Sequence, residues 1–173
     1  SIATTTGYVT EDYDTWPPFS RAILFVLMFT GACAGSTAGG IKIIRMIVLA
    51  KMTYWRIEAT FRPKTVRAIR IGDTLINDET RRTIEAFFFL YICWFAFGSI
   101  FMSALGLPFY TALSSVASAL GSIGPGFEQV GAVRDYASVP GIGKLFLSLC
   151  MVLGRLELFS VCVLFVPSFW KHR

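Results

Sequence analysis

Gly31-Ala-Cys-Ala-Gly-Ser-Thr-Ala-Gly-Gly40 interrupts an apolar run that begins at Ala22-Ile-Leu-Phe-Val-Leu-Met-Phe-Thr30 and resumes at Ile41-Lys-Ile-Ile-Arg-Met-Ile-Val-Leu-Ala50. Glycine loses more backbone entropy than any other residue on entering a helix, so glycines at 31, 35, 39 and 40 favour an irregular loop. At hydrocarbon depth such a loop must be buried in protein or line a water-filled path, because its free backbone groups find no partner in lipid. A broken helix beside a pore is therefore expected. A second reading stays open: Gly31, Gly35 and Gly39 recur every four residues and would give an unbroken helix a smooth stripe for close packing. A phosphate loop is excluded, because Ile41 stands where the lysine belongs and the flanks are apolar runs.

Outward from this stretch the chain reads as a polytopic membrane protein. Of its 173 residues 54% are hydrophobic and only 16% charged, with a positive mean hydropathy. It opens at Ser1 without an initiator Met or signal peptide, and reads as a piece of a longer polypeptide. About 20 apolar residues cross a bilayer. The segment 20–50 forms the interrupted span, 83–106 a clear outer span, and 142–173 an inner span with its terminal tail. The Ala- and Ser-rich run Phe109–Leu120, within 107–141, is too short to cross and fits a re-entrant helix.

Charge sets the orientation. Ten of the sixteen Lys and Arg lie between Lys42 and Arg82, and the chain ends in Lys171-His-Arg173. The positive-inside rule puts the linker 51–82 and the C-terminus in the cytoplasm. The acidic residues Glu11, Asp12, Asp14, Glu128 and Asp135 then lie in outer loops, where they would concentrate cations. The net charge of +5 needs no nucleic acid to explain it. The basic linker suits anionic lipid or a cytoplasmic partner, although retention on the inner side is the plainer account of it. Cys33, Cys93, Cys150 and Cys162 show no CxxC spacing, and His172 is the only His, so a His-based catalytic or metal centre is excluded.

Two further features bear on a pore. Thr4-Thr-Thr-Gly-Tyr8, within 1–19, has the composition of a cation selectivity filter, where backbone carbonyls replace the hydration shell of an ion. Gly121-Ser-Ile-Gly-Pro-Gly126 follows the re-entrant helix in the same way, and each loop leads to an outer loop and then an apolar helix with a central glycine, a faint internal repeat. The second feature is Leu153-Gly-Arg-Leu-Glu157. A charge at the middle of a span costs at least about 2.5 to 3.5 kcal/mol unless paired or wetted, so Arg155 is expected to face a cavity. Glu157, two positions on, lies on nearly the opposite side of a helix, so each needs its own partner. The free carbonyls of the glycine break are the acceptors available to Arg155; gluing helices together is its structural alternative.

Gly31 to Lys42, Ser122-Ile-Gly-Pro-Gly126 and Leu153-Gly-Arg-Leu-Glu-Leu-Phe159 together resemble the C-terminal part of the Trk/Ktr/HKT superfamily of potassium transporters, closest to the bacterial TrkH/TrkG branch. The resemblance covers essentially the whole chain. It implies an all-α fold of four repeats, each an outer helix, re-entrant pore helix, filter loop and inner helix, of which this chain holds the end of the third and all of the fourth. Thr5, Thr6, Gly7 and Tyr8 match the third filter strand, and Ser122, Ile123, Gly124 and Pro125, within the loop 121–126, match the fourth. Potassium would be held at Thr5, Thr6, Gly7, Ser122, Ile123 and Gly124. Gly31, Gly35, Ser36, Thr37, Gly39 and Gly40, in the intramembrane loop 31–40, match a gate below the filter, and Arg155 matches the arginine that touches it. Many relatives carry Asn where Ser122 stands.

The resemblance further implies a homodimer in the bacterial inner membrane, surrounded by lipid. A cytoplasmic ring of nucleotide-binding regulatory subunits is the implied partner, and K+ the transported ion, with no organic cofactor. The function expected is potassium uptake, channel-like or as a symporter, rather than an enzyme activity. The alternative is a non-conducting scaffold or sensor that uses its glycine stripe and Arg155 for helix assembly.

Overall fold

The computed structural model describes residues 1–33, 36, 39–61, 70–71, 74–75 and 77–156. Gly35, Thr37, Glu157, Cys162, the C-terminal tail and part of the linker lie outside the described residues. Five α-helices organise the rest: α1 (Pro18–Thr30), α2 (Ile43–Phe61), α3 (Asp78–Ala104), α4 (Phe109–Gly121) and α5 (Gly141–Arg155). Short 3-10 turns occupy Tyr13–Thr15 and Glu128–Val130. The fold is all-α apart from one antiparallel hairpin of two-residue strands, β1 (Arg70–Ile71) and β2 (Thr74–Leu75).

Local sequence explains the helix ends. α1 starts on Pro18, whose fixed φ and missing amide suit a first helical position. α3 starts after Asn77, whose side chain accepts from the Asp78 amide at 2.8 Å, with Asp78 and Glu79 at the positive end of the helix dipole. Its 27 residues span about 40 Å at 1.5 Å per residue, enough to cross a bilayer. α3 is the one helix among the described residues that is long and apolar enough to do so. Phe89, Phe97 and Ile100 are exposed along it, as lipid-facing residues would be.

The glycine-rich stretch is a break. α1 ends at Thr30, Gly31 takes φ +57°, and α2 begins at Ile43. Two boundaries differ from the sequence reading. α3 begins at Asp78 rather than 83, and α2 runs eleven residues into the segment read as linker, to Phe61. The basic residues of that segment hide the apolar face that continues through it: Met52 and Trp55, with Val48 just before them, pack against Ile84 of α3. Arg45 lies 4.3 Å above the Phe87 ring, and Arg56 pairs with Glu85 at 2.6 Å, so the basic face of α2 is partly turned onto α3.

At the centre sits α4, as short as α1 at 13 residues and the most buried of the helices described. Every residue from Thr111 to Gly121 except Leu113 is buried. Small residues make this possible by letting neighbouring backbones approach. α3 meets α4 at Gly98, where a Cβ would stand 2.9 Å from Val116 Cγ1. α5 meets it through Leu147, Cys150 and Leu153, and α1 through Met28. Rings seal the surrounding gaps, with Phe29 edge-on to Phe95 at 5.0 Å and Phe101 against Phe146 at 4.8 Å.

Candidate functional site

Two backbone turns carry the candidate filter, and they are copies of one another. At the end of α4 the Ser122 amide donates to the Ala119 carbonyl (3.1 Å) and the Ile123 amide to the Ser118 carbonyl (2.9 Å). At the start of the chain the Thr5 amide donates to Ile2 (3.1 Å) and the Thr6 amide to Ser1 (3.0 Å). Both are the paired 5→2 and 6→1 bonds that close a helix through a left-handed residue. That residue is Thr5 (φ +53°) in one and Ser122 (φ +52°) in the other, and two positions on stand Gly7 (φ +72°) and Gly124 (φ +113°). A left-handed non-glycine residue costs about 1–2 kcal/mol. Its presence at matching places in both turns marks a backbone shape that the surroundings impose.

The two turns abut. A Cβ on Gly7 would collide with the Ile123 carbonyl oxygen, so that oxygen is aimed at the third strand and only glycine allows the approach. Gly7, Tyr8, Gly124 and Pro125 line one cavity of about 470 Å³, together with Arg134 and Tyr136. Tyr8 is 78% exposed, so the backbone is what it brings to the turn.

Behind the fourth strand α4 presents hydroxyls three and four residues apart, on one helical face. The Gly124 amide donates to Ser118 Oγ (3.1 Å), the Phe127 amide to Ser114 Oγ (3.0 Å), and Thr111 Oγ1 to Glu128 Oε2 (3.1 Å). Two tyrosines complete the brace. Tyr13 donates to the Gly126 carbonyl (2.6 Å) and Tyr136 to the Gly124 carbonyl (2.7 Å). Burial pushes the Tyr13 phenol well above its ordinary value, and the nearby carboxylates of Asp14 and Asp12 add to this. Burial also raises Tyr136, opposed by its hydrogen bond with Ser118. Both stay neutral donors. Asp14 Oδ2 accepts from the Glu128 amide at 3.0 Å, tying the first outer loop to the second. Sequence reasoning missed Ser114, Ser118, Tyr13 and Tyr136; the Ser-rich composition of 109–120 was the available signal for the first two.

The glycine break lies directly beneath this assembly. The Ile41 amide donates to the Phe29 carbonyl (3.2 Å) and the Ile43 amide to the Ala32 carbonyl (3.3 Å), so the chain returns to the point it left. Such a closed neck is the mark of an Ω-type loop. A Cβ on Gly39 would stand 2.7 Å from the Gly121 carbonyl oxygen and 3.1 Å from Ser122 Oγ, the first residue of the fourth filter strand. On the adjacent residue of α4, a Cβ on Gly154 of α5 would collide with the Leu120 carbonyl oxygen. The structure thus gathers Gly39, Gly121, Ser122 and Gly154 at one depth. Gly31 and Gly40, at φ +57° and +77°, shape the two ends of the loop, and Ser36 lies within it, its amide donating to Cys33 at 3.0 Å. Arg155 follows Gly154 and is exposed in the last turn of α5. Among the described residues its guanidinium shows no hydrogen bond to the loop.

The chain matches the family model of the cation transport protein TrkH over residues 1–172. It is 37% identical over 171 residues to a Trk system potassium uptake protein TrkH of Halomonas elongata, and 32% identical to the TrkG of Escherichia coli strain K12. In each case 99% of this chain is covered, and the chain spans about 35% of the relative's length. The crystal structure of the potassium transporter TrkH from Vibrio parahaemolyticus superposes with a TM-score of 0.88 at 32% identity, over 98% of this chain and 36% of that one.

Proposed function

This chain belongs to the TrkH family of cation transport proteins, and we propose that it supplies two of the filter strands and the gate of a potassium-translocating membrane subunit. The observation that carries this reading is the repeated turn, with left-handed residues at Thr5 and Gly7 and again at Ser122 and Gly124, the two copies in backbone contact. Alternating the hand of successive residues lets neighbouring carbonyls point the same way, which is what coordination of a dehydrated cation requires. The carboxyl end of α4 lies at the base of the fourth strand, where its negative dipole end favours a cation. K+ is the cargo, taken by carbonyls of residues 5–7 and 122–124.

In this reading the loop 31–40, seated under Ser122 by Gly39, is the gate. Arg155 closes it by charge-assisted bonds to loop carbonyls and adds an electrostatic barrier. Support for the partnership is placement: Gly39 and Gly154 sit on consecutive residues of α4. The subunit is proposed to work as a homodimer in the bacterial inner membrane, with filter loops outside and the linker and C-terminus in the cytoplasm. Its partner there is a ring of nucleotide-binding regulatory subunits, which the basic linker would meet.

The experiment is potassium uptake by the complete polypeptide carrying this chain, expressed in a potassium-starved host that lacks its own uptake systems. Restored growth at low K+ is expected; a well-expressed protein that restores none would leave a non-conducting scaffold. Arg155→Ala should raise the uptake rate severalfold. An unchanged or lower rate in a normally folded variant would remove Arg155 from the gate.

A further inference from the structure

The amino-terminal halves of α1 and α4 part around a cavity of about 450 Å³. Phe25 and Val26 of α1 line one wall, Tyr110 and Leu113 of α4 the other, and Arg21 and Glu128 add a charge of each sign. Leu113 is the one residue between Thr111 and Gly121 that is not buried, and this is where it faces. The Arg21 guanidinium makes no hydrogen bond among the described residues: Asp14 Oδ1 lies 3.9 Å away and the Phe127 ring centre 5.8 Å. Glu128 accepts from Thr111 through Oε2 alone. It also takes φ +56°, a left-handed conformation held by its amide bond to Asp14, and backbone strain of this kind gathers at binding sites.

Upstream helices of the polypeptide have their seats on other faces of α1. α1 and α5 begin alike, after Pro17 (φ −53°, ψ 147°) and Pro140 (φ −55°, ψ 149°), so Pro18 pairs with Gly141 and Gly31 with Gly154. In α5 the side chains turned to its own re-entrant helix include Leu147 and Cys150, and the one turned to its outer helix is Phe146, stacked with Trp94. Their counterparts in α1 are Leu24, Leu27 and Ile23, and none of these lines the cavity. Leu24 and Leu27 lie instead beside Ser1 and Ile2.

We propose that the cavity is a lipid site, taking an acyl chain of a phospholipid whose head group carries both a phosphate and a primary ammonium. The inference rests on the filter loops facing outward, which puts the cavity in the outer leaflet; it does not depend on conduction. Exposed Trp16 and Tyr110 are residue types that settle at the head-group level. The Arg21 fork takes the phosphate and Glu128 the ammonium. Charge selects the head group: Arg21 stands against both Asp14 and Glu128, so a purely anionic lipid is disfavoured and a zwitterion is matched.

The test is native mass spectrometry of the complete polypeptide, purified in detergent and supplied with phosphatidylethanolamine or phosphatidylglycerol of the same acyl chains. Wild type is expected to hold phosphatidylethanolamine about tenfold more tightly, the factor that one charge-assisted hydrogen bond supplies. Val26→Trp fills the cavity from an exposed position, leaves Arg21 and Glu128 in place, and should lose that binding. Glu128→Gln should keep the lipid and lose the discrimination. Equal retention of the two lipids by wild type overturns the proposal, as does undiminished binding in Val26→Trp. Absence of bound lipid overturns it too, and a lowered thermal midpoint in Val26→Trp would then give the cavity to the polypeptide itself. K+ uptake is scored separately: a wild type that binds the lipid but moves no K+ overturns the filter reading and leaves the lipid site standing.

Discussion

The turn at Thr4–Tyr8 and the turn at Gly121–Gly126 share their hydrogen bonds and the signs of their dihedrals, yet the side-chain hydrogen bonds around the first are all local, while those around the second reach it from distant elements. Around the first, Thr4 Oγ1 bonds the Ser1 carbonyl and Thr6 Oγ1, all local and exposed. Around the second stand Ser114, Ser118, Tyr13 and Tyr136, reaching it from α4 and from both outer loops. The residues differ almost everywhere, Thr-Thr-Gly-Tyr against Ser-Ile-Gly-Pro, so the turn shape does not depend on one set of side chains. The bracing is a property of each site. Function that needs a common geometry draws on the first; function that needs one strand to differ from another draws on the second.

The glycines test how far the equivalence goes. Gly7→Ala drives a Cβ into the Ile123 oxygen at a left-handed residue, whereas a Cβ at Gly124 meets open space and bears the backbone strain alone. K+ uptake should fall by more than about tenfold in Gly7→Ala, since left-handed strain alone costs about 1–2 kcal/mol and ~1.4 kcal/mol is a factor of ten. Gly124→Ala should lose distinctly less. Equal losses in a transport assay would mean that the contact between the strands is immaterial.

Stability should divide in the same direction by a smaller margin. Ser114→Ala strands the buried Phe127 amide and should cost about 1–3 kcal/mol, read as a lower thermal midpoint of the purified protein. Thr4→Ala, at the exposed turn, should stay within about 0.5 kcal/mol. The finest effect is alkaline. Because Tyr13 has its folded value raised, the stability it contributes is complete below its ordinary value near 10 and is lost as pH rises toward the raised value. Thermal scans between about pH 8 and pH 11 should show this loss in wild type and a shallower one in Tyr13→Phe; parallel curves would remove Tyr13 as the alkaline switch.

Much of this is legible in the amino-acid sequence. Gly31 to Gly40 announced a break because glycine is dense there, and the alignment of Thr5 with Ser122 and Gly7 with Gly124 proved to be an alignment of dihedrals. Gly154 was visible as the centre of a helix, but its contact with the Leu120 carbonyl was not, since a missing side chain leaves no trace of what fills its place. The extension of α2 to Phe61 was masked by charge: Lys51 and Arg56 open the run read as linker, yet Arg56 pairs with Glu85 of α3 from a helical position. Tyr13 was unreadable for a different reason, as its partner lies 113 residues away and a lone tyrosine in an acidic loop carries no periodic signal.

The neck that joins Phe29 to Ile41 has a bearing on how such a protein diversifies. Entry and exit of the loop coincide, so the number of residues between them is uncoupled from where α1 and α2 stand. Doubling a loop of this kind adds only about 0.6 kcal/mol of closure entropy. Lineages could therefore lengthen or shorten the stretch beneath the filter, and retune how firmly it obstructs the passage, while the helices that anchor it keep their places.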